Sequence, residues 1–228
     1  MQQLQRDYIF EFAGMPQSGK TTVKDILVHY LKRMEYPFQE YHGGSRYSLL
    51  YDAPIAELNV LLARNARHFV SSIIEREKAD YKVYVLDRGL IDRCIFTDAL
   101  VRSGKVAEEQ AKEIYASLTS PDLLEKLDGV YIFVTSPETA LIREYRDKLV
   151  RREDVRSEGE VMNESFLSQM RSAAIEGFDT AKHRVRNVKR IDTEQLGVDM
   201  RTKAREVFDN IRNTYPELNL KLNTRWLD

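Results

Sequence analysis

Short runs of consecutive apolar residues alternate along this chain with longer stretches in which apolar positions recur every three or four residues. The runs fall at Tyr8–Ala13, Phe38–Tyr41, Val83–Leu86, Val130–Val134 and Val188–Ile191. A strand with nearly continuous apolar sequence needs cover on both faces, the condition of a parallel sheet between two helix layers. Helical periodicity predicts helices over Lys20–Met34, Pro54–Glu77, Leu90–Ser103, Ala107–Leu118, Pro137–Val150, Ser165–His183 and Val198–Thr214. Strands and helices in alternation give an α/β fold. No Gly/Pro/Ser-rich linker and no internal repeat interrupts the pattern, so residues 1–228 are expected to form a single domain.

Two segments break the rhythm. Arg151-Arg152-Glu153-Asp154-Val155-Arg156-Ser157-Glu158-Gly159-Glu160 is densely charged and cannot be core, which leaves a solvated connection or a lid. From Pro216 to Asp228 the apolar residues Leu218, Leu220, Leu222, Trp226 and Leu227 nearly alternate with polar ones. That surface needs cover, and burial within the domain or against a second copy in a homodimer supplies it equally well.

Composition narrows the function classes. With 35 Lys+Arg against 36 Asp+Glu the formal charge is -1, so no global field draws the chain to polynucleotides or anionic membranes. The polar Met1-Gln2-Gln3-Leu4-Gln5-Arg6 start is no apolar leader, and no run reaches the length of a membrane span. A single cysteine, Cys94, precludes an internal disulfide, which fits a reducing, cytoplasmic setting. Cys94 follows Asp92-Arg93 on an expected helix, where packing is its default role.

The first apolar run feeds into Gly14-Met15-Pro16-Gln17-Ser18-Gly19-Lys20-Thr21, a complete phosphate-binding loop between a strand and a helix. Glycines let backbone N–H groups approach phosphate oxygens, and the following helix points its positive end at the same anion. Gly14, Gln17, Ser18, Gly19, Lys20, Thr21 and Thr22 are therefore expected to bind ATP. Lys20, expected on an exposed loop, would reach the terminal phosphates, and Thr21 would ligate Mg2+.

A second motif closes the third run: Val83-Tyr84-Val85-Leu86-Asp87-Arg88-Gly89. At the carboxyl end of a parallel strand, Asp87 and Arg88 would stand in the crevice where open α/β sheets bind ligands. Asp87 can organise the Mg2+ shell or accept a hydroxyl proton, and the Arg88 fork can clamp phosphate oxygens. The alternative is a helix cap beside a surface charge. The chain lacks the Asn-Lys-x-Asp motif of GTPases and the Leu-Ser-Gly-Gly signature of transporter ATPases.

Over most of its length the chain resembles the thymidylate kinase and deoxynucleoside kinase group. Ala56-Glu57-Leu58 through His68-Phe69-Val70 to Asp87-Arg88, with Gly43-Gly44-Ser45 before it, resembles thymidylate kinases. Asp92-Arg93, Ile95-Phe96, Ser103-Gly104, Ile114-Tyr115 and Val134-Thr135-Ser136-Pro137-Glu138-Thr139 are more similar to deoxynucleoside kinases. The resemblance implies the P-loop NTPase fold: a five-stranded parallel sheet flanked by helices, with an arginine-bearing lid over about 143–163. Candidate lid arginines are Arg143, Arg146, Arg151 and Arg152, with Arg143 and Arg152 foremost as catalytic contacts and Arg146 as a donor contact. Arg143 and Arg146, three apart, are expected to share a helix face.

Departures fall on the acceptor side. Tyr41-His42 stands where thymidylate kinases carry Glu-Pro, and Asn65 stands where they carry an arginine, with Arg64 and Arg67 as displaced neighbours of His68. Asp87-Arg88-Gly89 replaces the Glu-Arg-Ser of deoxynucleoside kinases. Expected acceptor-binding residues are His42, Gly43, Arg46, Arg64, Arg67 and Asp92. A hydroxyl acceptor needs a general base, whereas a monophosphate is already nucleophilic at neutral pH. Three arginines on that side favour a nucleotide monophosphate over a nucleoside or a small metabolite. A nucleotide-dependent switch or partner-binding module with little turnover is the reading from a different class.

Overall fold

The computed structural model describes residues 4–44, 53–76, 80–151, 161–194, 197 and 199–220, with backbone alone at 148–151. Arg46, Arg152, Leu222, Trp226 and Leu227 lie outside the described residues, as does the side chain of Arg151.

Five parallel strands form one sheet: β1 (Tyr8–Gly14), β2 (Phe38–His42), β3 (Val83–Asp87), β4 (Gly129–Val134) and β5 (Val188–Asp192), in the order β2-β3-β1-β4-β5. The helices are α1 (Lys20–Arg33), α2 (Ile55–Glu75), α3 (Leu90–Arg102), α4 (Glu108–Leu118), α5 (Pro121–Leu124), α6 (Pro137–Arg151), α7 (Glu164–Ala181) and α8 (Met200–Thr214). Every expected strand and helix is present, with ends moved by a residue or two. Among the described residues two short elements were not expected, α5 and a 3-10 turn at Pro216–Leu218: each is opened by a proline and is too short to show periodicity.

Alternate strand side chains feed two cores. On one face Ile9, Ala13, Tyr84, Leu86, Ile132 and Val134 pack with apolar residues of α2, α3, α4 and α7. On the other, Phe10, Phe12, Val83, Val85, Tyr131, Phe133 and Ile191 pack with α1 and α8. β1, β3 and β4 are buried along their whole length, which is why their sequences read as unbroken apolar runs. The edge strands β2 and β5 are more exposed and carry charged residues.

Local signals start two of the long helices. The Asn163 side chain accepts the Phe166 N–H at 2.9 Å to cap α7, and Asp199 accepts the Arg201 N–H at 2.9 Å to cap α8. The beginning of the apolar tail folds back on its own domain: Leu218 and Leu220 are buried in the second core, and the Tyr36 hydroxyl faces the Leu218 carbonyl at 2.9 Å.

Candidate active site

Three strand ends meet at the carboxyl edge of the sheet. β1 ends at Gly14, and its neighbour β3 ends at Asp87 in register with Phe12. β2 ends at His42 in register with the same Asp87, and the Gly43 N–H donates to the Asp87 carbonyl at 2.8 Å. The phosphate-binding loop, the Asp87-Arg88 pair and the loop after β2 are therefore neighbours because of the strand order.

Gly14 adopts φ 111°, and a Cβ there would collide with the Phe133 backbone, so the loop can leave β1 only through glycine. Within the loop the Ser18 hydroxyl donates to the Met15 carbonyl at 2.7 Å, and the Lys20 ammonium donates to the same carbonyl at 2.8 Å. Ser18 is thus turned into the loop, where its side chain braces the turn. The exposed position expected for Lys20 is corrected: the residue is 4 % exposed, because its ammonium folds back under the loop. Burial first, and then the Arg88 charge, lower the Lys20 pKa to about 7. A phosphate group arriving at the loop would supply the counter-charge that favours the ammonium form.

Thr21, the second residue of α1, faces β3, and its hydroxyl donates to Asp87 Oδ2 at 3.2 Å. Two oxygen donors so placed, one neutral and one anionic, suit a hard cation such as Mg2+. That ion commonly takes one or two protein oxygens and completes its shell with phosphate and water. No cluster of three or more His, Cys, Asp or Glu side chains able to hold a metal occurs among the described residues. Thr22, the next residue, is exposed.

Arg88 follows with a left-handed backbone, φ 68°, an unusual conformation for a residue with a side chain. Its guanidinium lies 3.2 Å from Asp92 Oδ2, which also accepts from Arg93 at 2.7 Å. Asp92 Oδ1 accepts the Gly14 N–H at 2.9 Å. Asp92, expected as an acceptor contact, is 0 % exposed, and its oxygens meet the Gly14 N–H and two arginines. Although burial opposes its ionisation, the Arg88, Arg93 and Lys20 charges and the Gly14 N–H hold its pKa below the usual carboxylate value. Arg88 is correspondingly held above the ordinary guanidinium value, burial being outweighed by Asp92 and Asp87.

The expected lid arginines separate. Arg143 turns inward: its guanidinium donates to the Gln17 carbonyl at 3.1 Å and the Thr193 carbonyl at 2.7 Å, tying the loop to the end of β5. The Gln17 side chain reaches Glu144 on the same helix. Thr193 adds a hydroxyl bond to the Ser18 carbonyl at 3.0 Å. Arg146 is exposed, so the shared helix face expected from their spacing is not shared in burial.

Among the residues expected to meet an acceptor, His42 is exposed with Nε2 3.6 Å from Glu40, and Arg64 and Arg67 are exposed on α2, as is their neighbour His68. The residues missed in the sequence are Glu11, Arg93, Glu144 and Thr193. Glu11 carried a signal, a charge inside an apolar strand run. The other three depend on which helices and loops meet, which spacing along the chain does not disclose.

No protein-family model matches the sequence, and no curated protein matches it. Solved structures do match the fold. Deoxyadenosine kinase from M. mycoides with bound dATP superposes with a TM-score of 0.64 at 14 % identity, covering 90 % of this chain and 99 % of that one. The same enzyme with bound dCTP gives 0.61 at 14 % identity and the same coverage. Thymidylate kinase from Candida albicans gives 0.62 at 14 % identity, covering 93 % of this chain and 94 % of that one. The chain shares the P-loop fold of deoxyadenosine kinase and thymidylate kinase, a five-stranded parallel sheet flanked by helices.

Proposed function

We propose that this protein is a kinase that transfers the terminal phosphoryl group of Mg2+-ATP to a nucleotide monophosphate. The observation that carries the reading is the meeting of Lys20, Thr21, Asp87 and Arg88 at one edge of the sheet, with the Thr21 hydroxyl on Asp87. In this reading the loop N–H groups and Lys20 hold the donor phosphates, and Thr21 and Asp87 hold Mg2+. The metal supplies charge neutralisation on the phosphate oxygens. Arg88 carries a cation to the charge that develops on the transferring group, which needs electrostatic stabilisation more than covalent chemistry.

The Thr21–Asp87 contact also bears on the acceptor. A carboxylate engaged with the metal-side threonine suits metal organisation better than proton abstraction, and a monophosphate acceptor needs no base at neutral pH. The solved structures sharing the fold include kinases named for a deoxynucleoside and for a nucleotide, so both acceptor classes belong in the test.

The decisive experiment is ATP consumption against a panel of nucleosides and monophosphates. Acceptor-dependent turnover with a monophosphate is expected. Slow hydrolysis that is identical across the panel would sink the kinase and leave a nucleotide-binding switch. Asp87→Asn is expected to raise the Mg2+ concentration needed for half-maximal turnover about tenfold or more, the loss of one charged ligand being worth upwards of 1.4 kcal/mol. An unchanged Mg2+ requirement with an altered pH profile would instead make Asp87 a general base and favour a hydroxyl acceptor.

A further inference from the structure

Helix α3 starts immediately after Asp87-Arg88, yet its N-cap residue is Gly89, which has no side chain to cap it. Helix starts leave backbone N–H groups without intrahelical partners, and a buried start needs them satisfied from elsewhere. Glu11 supplies them from β1: Oε1 accepts the Asp92 N–H at 2.7 Å and Oε2 accepts the Ile91 N–H at 3.2 Å. The glutamate is 0 % exposed in the middle of the central strand, where a carboxylate is expensive to bury. The positive end of a helix is one environment that offsets the expense. Gly89 is matched to it, since a Cβ there would come within 2.8 Å of the Glu11 carboxyl group.

The consequence reaches the site. Asp92, whose N–H is held by Glu11, spends its own oxygens on the Gly14 N–H at 2.9 Å and on Arg88 at 3.2 Å. Donor loop and Arg88 thus hang from one buried carboxylate, which in turn hangs from Glu11.

We propose that Glu11 is a positioning residue: it caps α3 from the neighbouring strand and, through Asp92, fixes Arg88 against the donor loop. The catalytic part of this role rests on the phosphotransferase reading above; the anchoring part does not.

Glu11→Gln keeps the shape but turns an amide NH2 towards one of the two N–H donors. Amide exchange at Ile91, Asp92 and Gly14, read by NMR, is expected to accelerate about 10- to 100-fold, the loss of a buried hydrogen bond. With the best acceptor, kcat is expected to fall about 10- to 100-fold, as for a small misplacement of a catalytic group. The discriminating measurement is the same substitution in an Arg88→Ala background. If Glu11 acts through Arg88, it costs no more than about twofold there, because residues acting as a unit are not additive. A full further loss in that background, or unchanged exchange at Gly14, overturns the proposal. If the unsubstituted protein shows no acceptor-dependent turnover, the kinase reading fails, and the anchor is decided by Gly14 exchange alone. Should Glu11→Gln not fold, Glu11→Asp, one methylene shorter, withdraws the carboxylate from the α3 amides. Exchange at Ile91, Asp92 and Gly14 is expected to accelerate in that variant too, and unchanged exchange there overturns the proposal.

Discussion

Lys20 and Glu11 are both ionisable groups taken out of water, and each is tuned by what it faces. Lys20 lies under the loop against the Met15 carbonyl, with its pKa lowered to about 7 by burial and Arg88. Removing a group whose charge is disfavoured in the fold relieves strain, so Lys20→Ala is expected to keep or raise Tm at neutral pH. Phosphoryl transfer should fall by at least about 100-fold, the scale of losing one electrostatic contact to the transition state. Wild-type-like turnover in steady-state assays would refute the donor site. Glu11 titrates in the opposite sense: burial and the Asp92 charge raise its pKa from 4.5 to about 7, against the pull of the α3 amides. Between those values the folded chain holds a proton that the unfolded chain has released. Its contribution to stability is therefore full below about pH 4.5 and lost as pH rises through about 7. The difference in Tm between wild type and Glu11→Gln should move in the mutant's favour over that window. A difference independent of pH would mean an ordinary carboxylate at this position. Glu11 could be noticed in the sequence as a charge in a buried strand, but its partner could not, since Ile91 and Asp92 lie eighty residues away.

Among the elements, α6 departs furthest from its expected part. Its periodicity placed it correctly, but spacing alone could not say whether Arg143 faced solvent or the loop. The inward turn makes α6 a strut: Arg143 joins the Gln17 and Thr193 carbonyls, and Glu144 engages the Gln17 side chain. Arg143→Ala takes a charged donor from the Gln17 carbonyl and from the Thr193 carbonyl, which keeps only the Thr135 hydroxyl, and a stability loss of about 1–3 kcal/mol is expected by denaturant unfolding. A looser loop should raise the KM for ATP about tenfold with a smaller effect on kcat, equivalent to about 1.4 kcal/mol of binding. A loss confined to kcat would return Arg143 to direct contact with the transferring phosphate. Helix α3 teaches the same point, because the residues before it contain no cap and its start is decided by β1.

At the scale of the whole molecule, the sheet divides two cores, and the loop, Asp87 and the end of β2 share one edge of it. A ligand that binds this edge only in the folded state must raise apparent stability by mass action. Mg2+-ATP at a hundred times its Kd adds about 2.7 kcal/mol, which for a domain of this size is a Tm rise of about 5–10 °C. Thermal unfolding with and without Mg2+ measures it, and no rise at saturating nucleotide would deny the donor site. The architecture was legible in the sequence because its determinants are local. Apolar runs bounded by glycine make buried parallel strands, apolar residues three or four apart make helices, and Gly14 through Thr21 between such elements matches the phosphate-loop pattern. The grouping of Lys20, Thr21 and Asp87 was legible for the same reason, since each closes or follows a strand of that pattern. The assignment of charges within it was not: burial of Lys20, the Asp92 hub, the Arg143 strut and the Glu11 cap each join residues from different strands and helices. Such pairings exist only after the strand order β2-β3-β1-β4-β5 has brought those elements together. Sequence alone determined which residue types are able to meet phosphate; the tertiary structure decided which of them gather at one edge of the sheet and which bond to one another, because those bonds join segments far apart in the chain.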